Sequence, residues 1–249
     1  MPRPLQGRVV AVTRPRSQAD PLSRALARAG ARVVFAPLIR VAPPRSTRAL
    51  DDALKTLASY DAAVFTSGTS VDRFFERTRA LGLPAAPRAV YAVGPHTAER
   101  LSARGLRARA FRGARTGAEL ARALPAVAGL RILVPRAENG DPSLARILRA
   151  RGATVRVAAA YRTLPDRSGL RGLSGRADAV VFASPSAVDA LFRLKGTAAA
   201  RSLLSGAVAA AIGPTTAAAL KRRGAKDVVV AARPAPEEIV RALAARWAA

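Results

Sequence analysis

Hydroxyl side chains directly follow two short apolar runs of the sequence, at corresponding positions. Thr66 and Ser67 follow the first run, with Ser70 three residues further on, and Ser184 and Ser186 follow the second. Serine and threonine in this setting often cap the next helix through the side-chain oxygen. They are also neutral hydrogen-bond donors that suit carboxylates. The second interpretation predicts that Thr66, Ser67, Ser184 and Ser186 bind substrate.

A glycine-proline pair precedes a helical pattern at two places, residues 94–97 and residues 213–216. Proline fits the first helical position because its missing N–H is not needed there. The unpaired backbone N–H groups and the positive dipole end of such a helix attract anions. We therefore expect Thr97 and Thr216, which lie in these turns, to contact anionic groups.

Two arginines follow the first apolar run of a repeated segment, Arg14 in one copy and Arg136 in the other. A guanidinium in this position suits carboxylates through charge-assisted hydrogen bonds. A solvated surface charge is an equal alternative for each. The first interpretation adds both arginines to the predicted substrate-binding set.

Tyr161 and His96 are the candidates for acid–base chemistry. A phenol can give a proton to a leaving oxygen and remains neutral at pH 7. Packing of an aromatic ring at a hinge is the alternative for Tyr161. His96 has Thr215 at the corresponding position of the second copy, which favours a polar residue in a helix-start turn. Tyr161 is therefore the stronger candidate for a proton donor, with packing as the open alternative.

The sequence contains an internal duplication. Residues 178–189 repeat residues 61–72, and residues 238–243 repeat residues 119–124 in the same order along the chain. Short apolar runs alternate with helical patterns throughout, which predicts an α/β fold with parallel sheets covered on both faces. Ligands of such sheets bind at the carboxyl ends of the strands, where the polar residues above are placed.

The composition disfavours several kinds of site. The chain of 249 residues has no cysteine, one histidine and 16 acidic residues without clustered ligand spacing, so we expect no metal. No phosphate-binding glycine-rich loop is present, so we expect no cofactor. The first residues lack the apolar core of a secretion signal, which predicts a cytoplasmic protein. Gly213 and Pro214 interrupt the apolar run 203–220, which predicts a strand and a helix instead of a membrane span.

The formal charge is +26, from 42 basic and 16 acidic residues. Coding bias toward arginine and alanine is one explanation, and attraction for a polyanion, either nucleic acid or a polycarboxylate substrate, is the other. Aromatic residues make up 4% of the chain and do not alternate with basic ones. Nucleic-acid binding is therefore disfavoured.

Together these motifs resemble the uroporphyrinogen-III synthase family, whose members close the linear tetrapyrrole hydroxymethylbilane without a cofactor. Each motif is weak alone, but their order and spacing over nearly the whole chain are specific. Ala183 departs from the pattern, because the first copy has the hydroxyl of Thr66 there. The motifs are Thr13-Arg14-Pro15, Phe65-Thr66-Ser67, Val93-Gly94 with Thr97-Ala98, Tyr161-Arg162-Thr163, residues 182–188 and residues 212–217.

The resemblance implies two flavodoxin-like lobes with parallel sheets, joined by a two-stranded hinge. Lobe one would combine residues 1–35 with residues 164–249, and lobe two would comprise residues 43–155. Residues 36–42 and 156–163 would be the hinge strands. Closure of the lobes about this hinge would hold the reactive conformer of a substrate bound in a cleft.

The resemblance also implies a reaction. The hydroxymethyl carbon loses water with help from Tyr161, the terminal pyrrole attacks through a spiro intermediate, and the ring closes with that pyrrole inverted. The expected partners are hydroxymethylbilane, a polycarboxylate tetrapyrrole, and, transiently, the enzyme that produces it, with no membrane and no nucleic acid. We expect a monomer. The alternative function is a non-catalytic, bilobal regulatory module that binds tetrapyrroles or other anions.

Overall fold

The computed structural model describes residues 3–111 and 113–248, without the side chains of residues 16–20. The chain divides into two compact units, the first formed by Met1–Val41 with Leu164–Ala249 and the second by Ala42–Thr163. The bounds of the helices and strands are β1 Val9–Val12, α1 Arg16–Arg28, β2 Arg32–Phe35, β3 Ile39–Ala42, α2 Arg48–Lys55, β4 Ala62–Phe65, α3 Gly68–Ala80, β5 Val90–Ala92, α4 Pro95–Ser102, β6 Arg109–Ala110, α5 Gly117–Ala123, β7 Arg131–Ala137, α6 Ser143–Ala150, β8 Thr154–Pro165, β9 Ala179–Phe182, α7 Pro185–Lys195, α8 Thr197–Ser205, β10 Val208–Ala211, α9 Pro214–Arg222, β11 Val228–Val230 and α10 Pro236–Ala248. Strands and helices alternate along most of the described chain, as the sequence predicts, except where β2 is followed by β3, β8 by β9 and α7 by α8.

The strands form two sheets with the same internal order. The first sheet runs β11-β10-β9-β1-β2, and the second runs β6-β5-β4-β7-β8 with β3 added beside β8. The pairs β1 with β9 and β7 with β4 are both parallel, and each joins the first strand of one sequence repeat to a strand of the other repeat. The sequence duplication is therefore also a structural one, and the α/β prediction is confirmed.

Strand β9 shows why these short runs form parallel strands. All four residues are buried, and alternate residues face different apolar clusters: Val180 and Phe182 face one, and Ala179 and Val181 face the other. A strand buried on both faces needs an apolar residue at every position, which explains the continuous apolar runs. The core of the first unit therefore lies on both sides of its sheet.

The apolar run 203–220 spans the end of α8, strand β10 and most of α9. The glycine-proline break thus separates a strand from a helix, as predicted. Among the described helices, none is long and apolar enough to cross a membrane. The hinge role of residues 36–42 and 156–163 stays a prediction, because it concerns motion.

Candidate active site

The turn between β4 and α3 places Ser67 at the carboxyl edge of the second sheet. Phe65 ends the buried strand, and Ser67 is extended (φ −161°, ψ 153°) before the helix begins at Gly68. The Ser67 Oγ accepts a hydrogen bond from the backbone N–H of Ser70 at 3.1 Å. This bond satisfies one of the free donors at the helix start, so the capping interpretation of Ser67 is confirmed.

Tyr161 brings a phenol to the same turn from strand β8. Its hydroxyl lies 3.2 Å from the Ser67 Oγ, and its ring packs against the cluster that contains Phe65 and Phe74. Burial raises the pKa of the phenol above its ordinary value of 10.0, and the hydrogen bond with Ser67 opposes this by a smaller amount. The phenol is therefore protonated at neutral pH, as a proton donor must be.

A second serine hydroxyl completes a small network beneath Tyr161. Ser70 is fully buried, and its Oγ donates to the carbonyl oxygen of Ser67 at 2.7 Å. The Ser67 Oγ also lies 3.3 Å from the Ser70 Oγ. Ser70 was not among the residues predicted to bind substrate. Its spacing of three from a capping serine is the signal that marks it, because these two positions meet in the first helical turn.

The turn between β5 and α4 lies beside this network. Gly94 has φ +75°, a conformation that favours glycine, and Thr97 is only 5% exposed in the first turn of α4. His96 is exposed, and its Nε2 lies 3.9 Å from the position a Cβ would take on Gly68. The two turns therefore bring Thr97 and His96 to the edge that carries Ser67.

Arg136, at the end of β7, carries a positive charge that is incompletely compensated. Its Nε and Nη1 are buried and have no hydrogen-bond partner within the described part of the chain. Burial lowers the pKa of the guanidinium, Asp141 opposes this, and Arg149 lowers the pKa further. A Cβ at Gly140 would lie 3.0 Å from Nη1, so this turn packs directly on the guanidinium. A partly buried cation in this state favours an anionic ligand.

The first unit repeats the capped turn, and among the described residues no tyrosine hydroxyl is hydrogen-bonded to its capping serine. The Ser184 Oγ accepts from the backbone N–H of Ala187 at 3.3 Å, with nearly the same backbone angles as Ser67 (φ −162°, ψ 155°). Thr216 is 1% exposed in the first turn of α9, Ser186 is exposed, and Arg14 is partly exposed after β1. These polar residues follow the carboxyl ends of β9, β10 and β1.

The predicted site residues thus form two groups, one in each unit. Ser67 and Tyr161 are in direct contact. Thr66 and Thr97 follow strands β4 and β5 of the same sheet, and Arg136 lies at the end of β7. The other group follows neighbouring strands of the first sheet and consists of Arg14, Ser184, Ser186 and Thr216. Their roles in binding stay predictions.

The fold and this network define a duplicated, doubly wound α/β protein in which a partly buried phenol contacts the capping serine of one turn. The family model described as "Uroporphyrinogen-III synthase HemD" matches residues 20–241. The uroporphyrinogen-III synthase of Synechococcus elongatus is 29% identical over 226 residues, which cover 86% of each chain. The chain belongs to the uroporphyrinogen-III synthase family, and the sequence resemblance is confirmed.

Solved structures agree with this assignment. A mutant uroporphyrinogen III synthase from the extremely thermophilic bacterium Thermus thermophilus superposes with a TM-score of 0.70 at 25% identity, covering 97% of this chain and 100% of that one. The uroporphyrinogen-III synthetase of Helicobacter pylori shares the fold, with a TM-score of 0.63 at 20% identity over 96% of this chain and 99% of that one. The chain is therefore a lyase of tetrapyrrole biosynthesis.

Proposed function

We propose that this chain converts hydroxymethylbilane to uroporphyrinogen III with inversion of the terminal pyrrole. The observation that supports the proposal most directly is the Tyr161 phenol, which is partly buried, protonated at neutral pH and held 3.2 Å from the Ser67 hydroxyl. It lies where ligands of doubly wound sheets bind. The family membership supplies the substrate class.

Loss of water is the first step of the proposed reaction. The Tyr161 O–H gives its proton to the hydroxyl on the hydroxymethyl carbon, the carbon–oxygen bond breaks, and water leaves with the bonding electron pair. The lone pair of the adjacent pyrrole nitrogen stabilises the electron-poor carbon. Positioned proton transfer of this kind contributes roughly 100-fold to 10,000-fold to a rate.

Ring closure follows without a further acid. The terminal pyrrole attacks the electron-poor carbon through a spiro intermediate, which then reopens and closes with that ring inverted. The substrate releases one proton on closure, and this proton restores the Tyr161 phenol. Because the uninverted ring also forms from the same chain, the enzyme must hold one conformer, and orientation is the main source of selectivity.

The carboxylates of the substrate bind to the hydroxyl and guanidinium groups at the carboxyl ends of the strands. In the second unit we expect Arg136 to attract a substrate carboxylate most strongly, because its positive charge is only partly compensated. The formal charge of +26 draws an anionic substrate toward the protein as a whole. The proposed substrate-binding residues are Arg14, Thr66, Ser67, Thr97, Arg136, Ser184, Ser186 and Thr216.

Isomer analysis tests this function. Hydroxymethylbilane is generated in situ by its synthesising enzyme, the products are oxidised, and the porphyrin isomers are separated by chromatography. We expect isomer III to predominate when the chain is present and isomer I to predominate when it is absent. Isomer I alone, in the presence of folded protein, would contradict the proposed function.

The enzyme that produces hydroxymethylbilane is the expected transient partner of this chain. Free hydroxymethylbilane closes spontaneously, so delivery from the producing enzyme during a brief contact limits the uninverted product. We propose that this chain acts as a monomer in that encounter. Size-exclusion chromatography with light scattering measures whether the chain is a monomer. For the contact, the lag before isomer III appears is measured in the coupled reaction of the two enzymes, and a lag shorter than free diffusion of hydroxymethylbilane requires would indicate direct delivery.

A further inference from the structure

The Ser67 hydroxyl has one proton and two acceptors at nearly equal distances. The Tyr161 oxygen lies 3.2 Å from it and the Ser70 Oγ lies 3.3 Å from it. The Ser67 oxygen already accepts the Ser70 backbone N–H, which fixes where the oxygen stands but leaves the O–H free to rotate. Ser67 can therefore donate to Ser70 or to Tyr161, but not to both at once.

Each choice fits one protonation state of the phenol. When Tyr161 is protonated and donates to Ser67, the Ser67 proton goes to the Ser70 Oγ, whose own proton goes to the Ser67 carbonyl oxygen at 2.7 Å. When Tyr161 has lost its proton, the phenolate needs a donor, and rotation of the Ser67 O–H provides one. All three hydroxyls keep a hydrogen-bond partner in both states.

We infer that Ser67 is a positioning residue that stabilises the Tyr161 phenolate formed during loss of water, and that Ser70 holds the Ser67 proton until then. The inference rests on the proposed function, because it assigns these two serines to the acid of that reaction. No bond other than the Tyr161 O–H changes in this step. The phenol proton leaves with water, and the proton released on ring closure returns to the phenolate.

The duplicate turn supports a special role for this network. Ser184 and Ala187 occupy the positions of Ser67 and Ser70, and the cap forms with nearly the same geometry and without the second hydroxyl. Ser70 is therefore not needed for the turn itself. Ser70 thus adds a buried hydroxyl that the cap does not require, next to a serine that contacts a partly buried phenol, and this placement points to a role in chemistry.

Substitutions of the two serines should move the Tyr161 pKa in opposite directions. Ser67→Ala removes the donor to the phenolate, so the pKa should rise. Ser70→Ala removes the competing acceptor, so Ser67 donates to Tyr161 more of the time and the pKa should fall. The test is an NMR titration of the tyrosine Cζ carbons in the whole protein, with the Tyr161 signal assigned from Tyr161→Phe.

Turnover supplies the second readout. Ser67→Ala should lower kcat by about 10-fold in addition to any rise in KM from lost substrate binding, because a hydrogen bond to the phenolate formed during the reaction is lost. Ser67→Thr should restore most of it. Thr116→Ala is the matched control, since Thr116 caps α5 with its Oγ1 3.1 Å from the Glu119 backbone nitrogen and does not contact Tyr161. That variant should keep kcat within about twofold of the unsubstituted chain, as a substitution outside the site does.

The outcomes separate this inference from the proposed function. Equal kcat in Ser67→Ala and Thr116→Ala, or Tyr161 pKa shifts of the same sign in both serine variants, would overturn the role of Ser67. Failure of the unsubstituted chain to form isomer III would instead overturn the function on which it rests.

Discussion

The two capped turns of this protein have the same backbone and different chemistry. Ser67 and Ser184 are extended, and each accepts an N–H from the residue three positions later. In the second unit that residue is Ser70 and a phenol is in contact, whereas in the first unit it is Ala187. The two turns are therefore equivalent scaffolds, and within the described residues a phenol is hydrogen-bonded to the capping serine of the second unit.

The position that corresponds to Tyr161 in the first copy differs in the same way. Ile39 lies as far from Gly30 as Tyr161 lies from Gly152, and it packs against the cluster that contains Phe182. Tyr161 packs against the cluster that contains Phe65. The side chain of Ile39 packs against its cluster but has no proton that it could donate. We therefore expect catalysis to depend on the second unit and binding to depend on both.

The largest effect should come from the phenol. Tyr161→Phe should lower kcat about 100-fold or more while KM changes little, because the ring and its packing remain and the proton donor is lost. The measurement is the initial rate of isomer III formation. Tyr91→Phe is the matched control, since Tyr91 lies on β5 beside Phe111. Equal rates for the two variants would remove the phenol from the mechanism.

A smaller effect, on KM, should come from Arg136. Arg136→Met should raise KM about 10-fold, because a charge-assisted bond to a carboxylate is lost. Arg136→Lys should give an intermediate KM, since it keeps the charge without the planar guanidinium.

Stability distinguishes this role of Arg136 from a structural one. The Met variant should unfold at the same or a higher denaturant concentration, because a partly buried and poorly compensated cation is removed. A large loss of stability with unchanged KM would show that Arg136 supports the fold and not the substrate.

Removal of the capping hydroxyl should destabilise the two units by equal amounts. Ser67→Ala and Ser184→Ala should each lower the free energy of unfolding of their own unit by about 1 kcal/mol, because each removes one side-chain bond to a helix N–H. Chemical denaturation of the two variants measures this. A loss several times larger for Ser67→Ala would mean that the contact with Tyr161 also holds the fold together.

The smallest effect should be the pH dependence of stability. Burial raises the pKa of Tyr161 in the folded chain, so the unfolded chain loses the phenol proton first as pH rises. The contribution of this group is therefore complete below the ordinary phenol pKa of 10.0 and is lost as pH rises above it. Denaturation at pH 8 and above pH 10 should show a smaller decline in Tyr161→Phe, and an identical decline would contradict the shift.

Local sequence predicts much of the fold because its signals are short-range. The Thr116 and Glu119 spacing predicts a capping box, and the structure contains both of its hydrogen bonds. The glycine-proline pairs likewise mark the starts of α4 and α9. Such features depend on a few neighbouring residues, so propensity and spacing suffice to find them.

The candidate site was predictable only as a list of residues. Tyr161 and Ser67 were both identified from their types and positions, but nothing in the sequence places one beside the other. Their contact depends on strand order, which sets β7 between β4 and β8, and on a register shift at Arg136 and Ala137. The spacing of Ser70 from Ser67 indicates a contact within the first helical turn, but only the fold brings the phenol of Tyr161 to that pair.

The sequence by itself determined the duplication, the α/β class, the capped turns and the family, since these follow from repeats, apolar patterning and local motifs. The tertiary structure alone decided that Tyr161 meets Ser67 and that the Nε and Nη1 atoms of Arg136 are buried, with Nη1 close to Gly140. The physical reason is that pKa values and hydrogen-bond partners depend on packing between residues that are distant in the chain.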